Sequence, residues 1–234
     1  MANSTSAASS RHWNRRSPRI IAALVVAALV GAFGLLADEV LEGDTLNFDL
    51  AILNWFRVPG DPTQMIGPTW LQEAVRDMTS LGSFSLLGLI TIVVVVALLL
   101  QHKARTGWYL AACVVGGAIL STVLKDLFNR PRPDLPAVAR VFTASFPSGH
   151  ATESAVVFLT IGVLLAESTT ERPLKAFYLG VAIFLTLLVG VTRIYLGVHY
   201  PTDVLAGWML GTAWALICWA GVQFLKPAPT EPTT

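Results

Sequence analysis

Two histidines, an aspartate and several basic residues in the second half of the chain are suited to act together on a phosphate ester. His199 and Asp203 lie four positions apart, so a helix that begins near Pro201 places both side chains on one face. A carboxylate bonded to one imidazole nitrogen fixes the tautomer and leaves the other nitrogen as a nucleophile or base. An isolated pair of this kind is more often a structural hydrogen bond, so the surrounding residues decide its meaning.

The second histidine, His150, follows Pro147-Ser148-Gly149 and precedes a helix-forming apolar run. Ser148 is a favourable N-cap residue, and the first backbone N–H groups of the helix, beginning with that of Gly149, have no partner within it. Such a helix start can bind an anion. His150 could then exchange a proton with the bound oxyanion. The alternative is an ordinary capped helix with a surface histidine.

Basic residues flank both histidine segments. Lys125 is followed by Arg130-Pro131-Arg132-Pro133, in which the prolines hold the chain extended, and Arg193 precedes His199. A rigidly held guanidinium suits bidentate capture of phosphate. Lys125 alone could be explained by the dipole at a helix C-terminus.

The sequence leaves the roles of two further residues open. Arg130 either contacts a second phosphate or a lipid headgroup, or is a solvated neighbour of Asp126. Glu153, one turn after His150, either pairs with a cation of the site or tunes His150, or it only favours the helix N-terminus.

The composition indicates a membrane protein. Of the 234 residues, 54% are hydrophobic and only 13% are charged, which is too apolar for a soluble domain. A net charge of +1 argues against a nucleic-acid partner. Cys113 and Cys218 lie in apolar runs, and neither a disulfide framework nor a Cys/His metal pattern is present, so we expect no metal and no cofactor.

We predict an all-α fold, a six-transmembrane helical bundle formed as one domain by residues 20–226. The first 19 residues are predicted to be a disordered cytoplasmic tail and residues 227–234 a second tail. The first apolar run could be a secretory signal, but no small-residue cleavage pattern follows it. A short amphipathic helix around Trp70 either lies in the membrane interface between spans one and two or packs on the bundle. The predicted spans are 20–37, 84–100, 108–124, 151–166, 176–191 and 204–225.

Lysine and arginine are concentrated in the connections on one side of these spans. We therefore expect a protein of the cell membrane with both termini on its cytoplasmic side. Segments 125–150 and 192–203 then face the extracytoplasmic side. Because ionisable residues at membrane depth are costly, their concentration there indicates function.

Three segments together resemble the signature of the type 2 phosphatidic acid phosphatase superfamily, over about residues 80–225. Six residues separate Lys125 from Arg132-Pro133, and Pro147-Ser148-Gly149-His150 follows. Five residues then separate Thr192-Arg193 from His199, and three residues separate His199 from Asp203. The family usually has serine where this chain has Thr192. Vanadium-dependent haloperoxidases share these motifs but are soluble proteins.

The resemblance implies a phosphatase mechanism. His199 would attack phosphorus to give a phosphohistidine, with Asp203 stabilising its charge and His150 acting as acid and then as base. The phosphate would be bound without a metal by Lys125, Arg132, Ser148, Gly149 and Arg193.

The expected substrate is a phosphorylated lipid in the bilayer, preferably undecaprenyl diphosphate. Phosphatidic acid or phosphatidylglycerol phosphate are the alternatives, and the motifs do not separate them. A transporter or binding protein for anionic lipids would use the same cations without chemistry. A hydrolase of water-soluble phosphoesters is a further possibility, and the oligomeric state is not readable from the sequence.

Overall fold

The computed structural model describes the backbone of residues 4–134 and 143–225, and the side chains of residues 19–134 and 143–221. Within these residues the chain is helical apart from one small hairpin, as the sequence predicted. The helices are α1 (Ser4–Glu42), α2 (Leu46–Trp55), α3 (Thr69–Thr79), α4 (Phe84–Leu100), α5 (Ala104–Phe128), α6 (Gly149–Glu167), α7 (Arg172–Tyr195) and α8 (Pro201–Leu225).

Five helices of the described chain are long and apolar enough to cross a membrane: α1 from Arg19 onward, α5, α6, α7 and α8. The remaining predicted span, the second, corresponds to α4. It meets the segment Thr69–Gly82 at an angle of 50°, and the two together are long and apolar enough to form a sixth, bent span. Large apolar side chains such as Leu24, Ile92 and Phe184 are more than half exposed, as expected for side chains that face lipid. The chain is a multi-pass helical membrane protein.

Several helices are longer than the spans predicted from the apolar runs. α5 continues to Phe128 and therefore includes Lys125, and α6 begins at Gly149. The backbone of α1 is helical from Ser4, where the sequence led us to expect a disordered tail. Extending an existing helix adds a hydrogen bond for each residue without a new nucleation cost, so polar residues flanking a span readily join it. Residues 1–3 and the predicted tail 227–234 lie outside the described residues.

Helix α6 is the most buried of the described spans and packs against α4, α5, α7 and α8. Glycines make the contact between α6 and α8 close. A Cβ atom at Gly207 would lie 2.8 Å from the carbonyl oxygen of Ser148, and one at Gly211 would lie 2.5 Å from that of Thr152. The start of α8 is thereby held directly against the start of α6.

The segment between the first two predicted spans contains elements that the sequence did not indicate. Helix α2 is followed by an antiparallel hairpin of β1 (Arg57–Val58) and β2 (Asp61–Met65), and then by the predicted short helix α3. This segment is bound to the end of α7, since Arg57 Nη1 donates to the carbonyl oxygen of Tyr195 at 2.9 Å. Helix α3 packs along α7, so it lies against the bundle.

We predict that Gly211→Ala destabilises the protein, because its new methyl group would overlap backbone atoms of α6. The expected loss is on the order of 1–3 kcal/mol of unfolding free energy. Thermal unfolding in detergent measures it. Gly221→Ala in the same helix is the matched control, because nothing lies within 4 Å of its added Cβ. Equal unfolding midpoints for the two variants would contradict the close contact.

Candidate active site

Arg132, in the first signature segment, contacts the third segment and the chain shortly before the second. Helix α5 ends with Asn129 in the left-handed conformation, at φ 43°, and the chain then runs extended to Arg132. The Nε of Arg132 donates to the carbonyl oxygen of Thr143 at 2.8 Å. Its Nη1 donates to the carbonyl oxygen of Val198 at 2.7 Å and lies 3.0 Å from Nε2 of His199. The guanidinium is therefore fixed beside the imidazole.

The contacts of His199 define its tautomer. A guanidinium can only donate, so the Nε2 atom facing Arg132 carries the lone pair and Nδ1 carries the proton. Nδ1 lies 3.5 Å from Oδ2 of Asp203 and 3.3 Å from Oγ of Ser145. Burial lowers the pKa of His199 to about 3 and outweighs the opposing effect of Asp203. The ring is thus neutral, with its lone pair directed toward the basic residues.

Asp203 is fully buried at the start of α8 and has a partner for each oxygen. Oδ1 accepts from Nη1 of Arg130 at 2.6 Å. Oδ2 accepts from Oγ of Ser145 at 2.5 Å and from the backbone N–H of Tyr200 at 2.8 Å. These bonds fix the orientation of the carboxylate that faces His199.

Arg130 is not a solvated neighbour of Asp126, because its side chain is only 10% exposed and is paired with two buried carboxylates, so that sequence interpretation was wrong. It bridges two buried carboxylates, with Nη1 on Asp203 and Nη2 2.8 Å from Oδ2 of Asp49, and stacks 4.2 Å from the ring centre of Tyr200. Burial opposes its charge, but Asp203 and Asp49 outweigh burial and raise the pKa of Arg130. Both of its Nη atoms thus donate hydrogen bonds within the protein.

Asp49 was missed by the sequence analysis. It lies in α2, is fully buried, and accepts from the backbone N–H of Thr202 at 3.0 Å and from the hydroxyl of Thr202 at 2.7 Å. It therefore caps the first turn of α8 from another helix. One signal was available, since Asp49 is the single charged residue in the otherwise mostly apolar segment Leu46–Trp55. Ser145, three residues before Ser148, was also missed.

The start of α6 differs from the predicted cap. Ser148 occupies the N-cap position, but its side chain makes no capping bond, and its buried Oγ has no hydrogen-bond partner in the structure. Its backbone N–H donates to the carbonyl oxygen of Asp203 at 2.9 Å. A Cβ atom at Gly149 would lie 3.3 Å from Cε of Lys125, so these two residues are adjacent. An unpaired buried hydroxyl beside a lysine suits an anion.

The remaining predicted residues lie around the same point. Arg193, near the end of α7, donates from Nη1 to the hydroxyl of Thr79 at 3.0 Å, and its buried Nε has no partner in the structure. Lys125 donates to the carbonyl oxygen of Ala144 at 2.9 Å. His150 is half-buried and interacts electrostatically with Arg193, His199, Arg132 and Lys125. All eight residues predicted for catalysis and phosphate binding are thus in one region.

Two details concern residues that the sequence left open. Glu153 interacts electrostatically with Lys125, and its Oε1 would lie 3.9 Å from a Cβ atom at Gly149, which favours pairing with a site cation over a purely helical role. The hydroxyl of Thr192, which replaces the usual serine, donates to the carbonyl oxygen of Val189 at 2.6 Å. It stabilises the last turns of its own helix.

The described residues of this region do not form a cluster of metal ligands. Among residues 19–134 and 143–221, no group of three or more His, Cys, Asp or Glu side chains is arranged to hold a metal ion. The positive charge comes from side chains instead. With unpaired donors at Ser148 and Arg193 and a neutral imidazole beside Arg132, the region can bind a tetrahedral anion next to a nucleophilic nitrogen.

These features define an integral-membrane enzyme with a histidine site lined by cations. The chain belongs to the PAP2 superfamily, whose family model matches residues 106–227. Its relatives are named phosphatases, and the chain is accordingly a membrane lipid phosphatase.

Two relatives show the range of the family. Phosphatidylglycerophosphatase B of Bacillus subtilis is 32% identical over 149 residues, which are 63% of this chain and 73% of the relative. Undecaprenyl-diphosphatase of Sulfolobus acidocaldarius is 32% identical over 120 residues, which are 50% of this chain and 52% of the relative. This chain thus matches about half the length of the second protein.

The fold is also found in a solved structure. The crystal structure of a transmembrane PAP2 type phosphatidylglycerolphosphate phosphatase from Bacillus subtilis matches with a TM-score of 0.76 and 27% identity. The match covers 86% of this chain and 97% of that one. The helical bundle is therefore shared nearly over its whole length.

We predict that His199 remains neutral, with its proton on Nδ1, from pH 8 down to about pH 5, because burial holds its pKa near 3. An exposed histidine titrates near pH 6.5. The stabilising contribution of the neutral ring is therefore fully present above about pH 6.5 and is lost as the pH falls toward the folded pKa. NMR of ¹⁵N-labelled histidine in detergent measures this, and His199→Gln identifies the signal among the four histidines. A midpoint near pH 6.5 would contradict the buried geometry.

Proposed function

We propose that the protein removes phosphate from a membrane lipid phosphate through a phosphohistidine at Nε2 of His199, without a metal ion. The main observation in support of this proposal is the orientation of the His199 imidazole. Nδ1 is held near Asp203 and Ser145, while Nε2 keeps its lone pair beside Arg132. A neutral, oriented imidazole next to a fixed cation is what an attack on a phosphate dianion requires.

In the first step, Nε2 of His199 forms a bond to phosphorus while the bond from phosphorus to the lipid oxygen breaks. His150 donates a proton to that oxygen, so the lipid leaves as an alcohol. The ring, which keeps its Nδ1 proton, becomes positively charged, and the nearby carboxylate of Asp203 stabilises that charge.

In the second step, His150 takes a proton from a water molecule, whose oxygen bonds to phosphorus as the nitrogen–phosphorus bond breaks. Inorganic phosphate is released and His199 is neutral again. This role requires His150 to lie near His199, and the two rings interact electrostatically at the start of α6.

Lys125, Arg132 and Arg193 would bind the phosphoryl oxygens, together with the hydroxyl of Ser148 and the N–H of Gly149. The unpaired buried donors support this, since Ser148 Oγ and Arg193 Nε have no partner in the structure. A phosphomonoester carries a charge of about −1.5 to −2 near pH 7, which three cations can balance.

The first candidate substrate is a lipid phosphomonoester such as phosphatidylglycerol phosphate. Two observations support it. The Bacillus subtilis relative and structural neighbour are named for that substrate. In the described part of the chain, Arg130, which the sequence offered as a contact for a second phosphate, is engaged by Asp49 and Asp203.

Undecaprenyl diphosphate is the second candidate, supported by the relative named for it. Phosphatidic acid is a third, since it also presents a single phosphomonoester. For each of these substrates, the acyl or prenyl chains would stay in the bilayer, between the helices of the protein and the surrounding lipid molecules. From the distribution of basic residues, the site would face the extracytoplasmic side of a cell membrane, with both termini in the cytoplasm.

An anionic-lipid transporter or binding protein would need the cations but not the oriented His199–Asp203 pair. We predict that His199→Gln lowers phosphate release by about 10³-fold or more while the variant still binds the lipid, because only the nucleophile is lost. Phosphate release by purified protein measures the first effect and co-purified lipid the second. His102→Gln, which changes an exposed histidine after α4, is the control and should keep full activity. Turnover retained in His199→Gln would overturn the mechanism.

A substrate panel tests the headgroup. We expect phosphatidylglycerol phosphate and phosphatidic acid to be hydrolysed with higher kcat/KM than undecaprenyl diphosphate, because in the described part of the chain Arg130, two residues before the predicted phosphate ligand Arg132, is already paired with Asp49 and Asp203. Short-chain esters with the same headgroups show how much the lipid tail contributes. The panel is run in EDTA, where rates should be unchanged. A faster reaction with the diphosphate would reverse the substrate order, and a Mg²⁺ requirement would refute metal independence.

A further inference from the structure

Behind His199, three buried charges form a row that crosses two helices and a loop. Asp49 of α2 contacts Arg130 at 2.8 Å, and Arg130 contacts Asp203 of α8 at 2.6 Å. Both carboxylates are fully buried. Asp203 uses Oδ1 for Arg130, and its Oδ2 is the atom near Nδ1 of His199. The row therefore ends at the imidazole.

The row has a net charge of −1, because two carboxylates share one guanidinium. If Asp203 were paired with Arg130 alone, the pair would be neutral. Asp49 thus competes with Asp203 for the same cation and leaves negative charge on the side that faces His199. In a buried setting such a difference acts strongly on a neighbouring charge.

We propose that Asp49 is a positioning residue for the reaction. Through Arg130 and the capped first turn of α8, it fixes the Asp203 carboxylate and sets the net negative charge behind the imidazole of His199. This inference rests on the proposed function, in which that ring becomes positive when phosphorus is attacked. Asp49 touches neither the ring nor the predicted phosphate ligands, so it acts only through other residues.

The packing of α2 against α8 supports this role. The carboxylate of Asp49 accepts two bonds from Thr202, at 3.0 and 2.7 Å, while Arg130 also donates to the Thr202 hydroxyl at 2.9 Å. Thr202 immediately precedes Asp203. A change of charge at Asp49 can therefore be separated from a loss of hydrogen bonding at Thr202.

Several other charged or titratable groups face His199, and they stay unchanged in the experiment. They come from α5, α6, α8 and the loop after α5, and are Lys125, His150, Asp203 and Arg132. Of these, the cations oppose protonation of the ring and Asp203 favours it.

The test compares the pKa of His199 in three variants. Asp49→Asn makes the row neutral, Asp49→Asn with Arg130→Gln restores a net charge of −1, and Thr202→Val removes hydrogen bonds while leaving all charges. The pKa is measured by ¹⁵N-histidine NMR with sodium sulfate in the buffer. Sulfate is a tetrahedral dianion, and when it is bound beside an imidazole it raises the pKa of that ring. We expect Asp49→Asn to lower the pKa of His199 by about 1, and the double variant and Thr202→Val to stay close to wild type.

Kinetics on a short-chain lipid phosphate give a second readout. Asp49→Asn should lower kcat about tenfold with KM nearly unchanged, since the phosphate ligands are untouched. The double variant should be faster than Asp49→Asn alone, although it has lost more native contacts. Should Asp49→Asn fail to fold, Thr202→Val keeps the proposal testable, because it leaves every charge in place and must keep the wild-type pKa of His199.

Two results would overturn the proposal. One is a double variant that is as slow as, or slower than, Asp49→Asn, with the same pKa as that variant. The other is a Thr202→Val variant that reproduces the pKa and kcat changes of Asp49→Asn, which would make the role of Asp49 purely structural. Failure of the proposed function is a separate outcome, because turnover in His199→Gln would reject the mechanism while the pKa comparison remained valid.

Discussion

The site depends on the pairing of Arg130 with Asp49 and Asp203. Two fully buried carboxylates in a membrane protein would be costly without a partner, and one guanidinium satisfies both, at 2.8 and 2.6 Å. The same contacts join α2, the loop after α5 and the start of α8. Because each member of the row loses a buried partner if another is removed, these three segments can hardly move independently. The orientation of Asp203, and with it that of His199, follows from this constraint.

A second constraint is the distance between α6 and α8. Helix α6 begins in the second signature segment and helix α8 in the third. Gly207 and Gly211 allow the backbone of α8 to approach that of α6 without side chains between them. The bond from the N–H of Ser148 to the carbonyl oxygen of Asp203 joins their first turns. Since His150 is the second residue of α6 and His199 lies just before α8, this close contact places both histidines at the same end of the bundle.

The sequence predicted the parts of the structure that have a local signal. Long apolar runs gave the helices, and the spacing of Lys125, His150 and His199 with their neighbours indicated one site. Asp49, Ser145 and the true partners of Arg130 were not predictable in this way, because their roles arise from contacts between residues 54 to 153 positions apart in the chain. Ser148 was misjudged as a side-chain cap, since propensity describes an isolated helix and not one whose start is bonded to Asp203.

The basic residues near the site differ in how completely their charge is paired within the protein. This difference distinguishes a residue with a structural role from residues that are available to a ligand. Arg130 has two carboxylates and an aromatic ring as partners, so its charge is already balanced within the protein. For Arg132, Arg193 and Lys125, the hydrogen bonds found in the described structure go to neutral oxygens and to His199. Holding three cations at least partly buried without full compensation of their charge lowers stability. Such an arrangement is understandable where an anionic ligand supplies the missing charge, as a phosphate ester would.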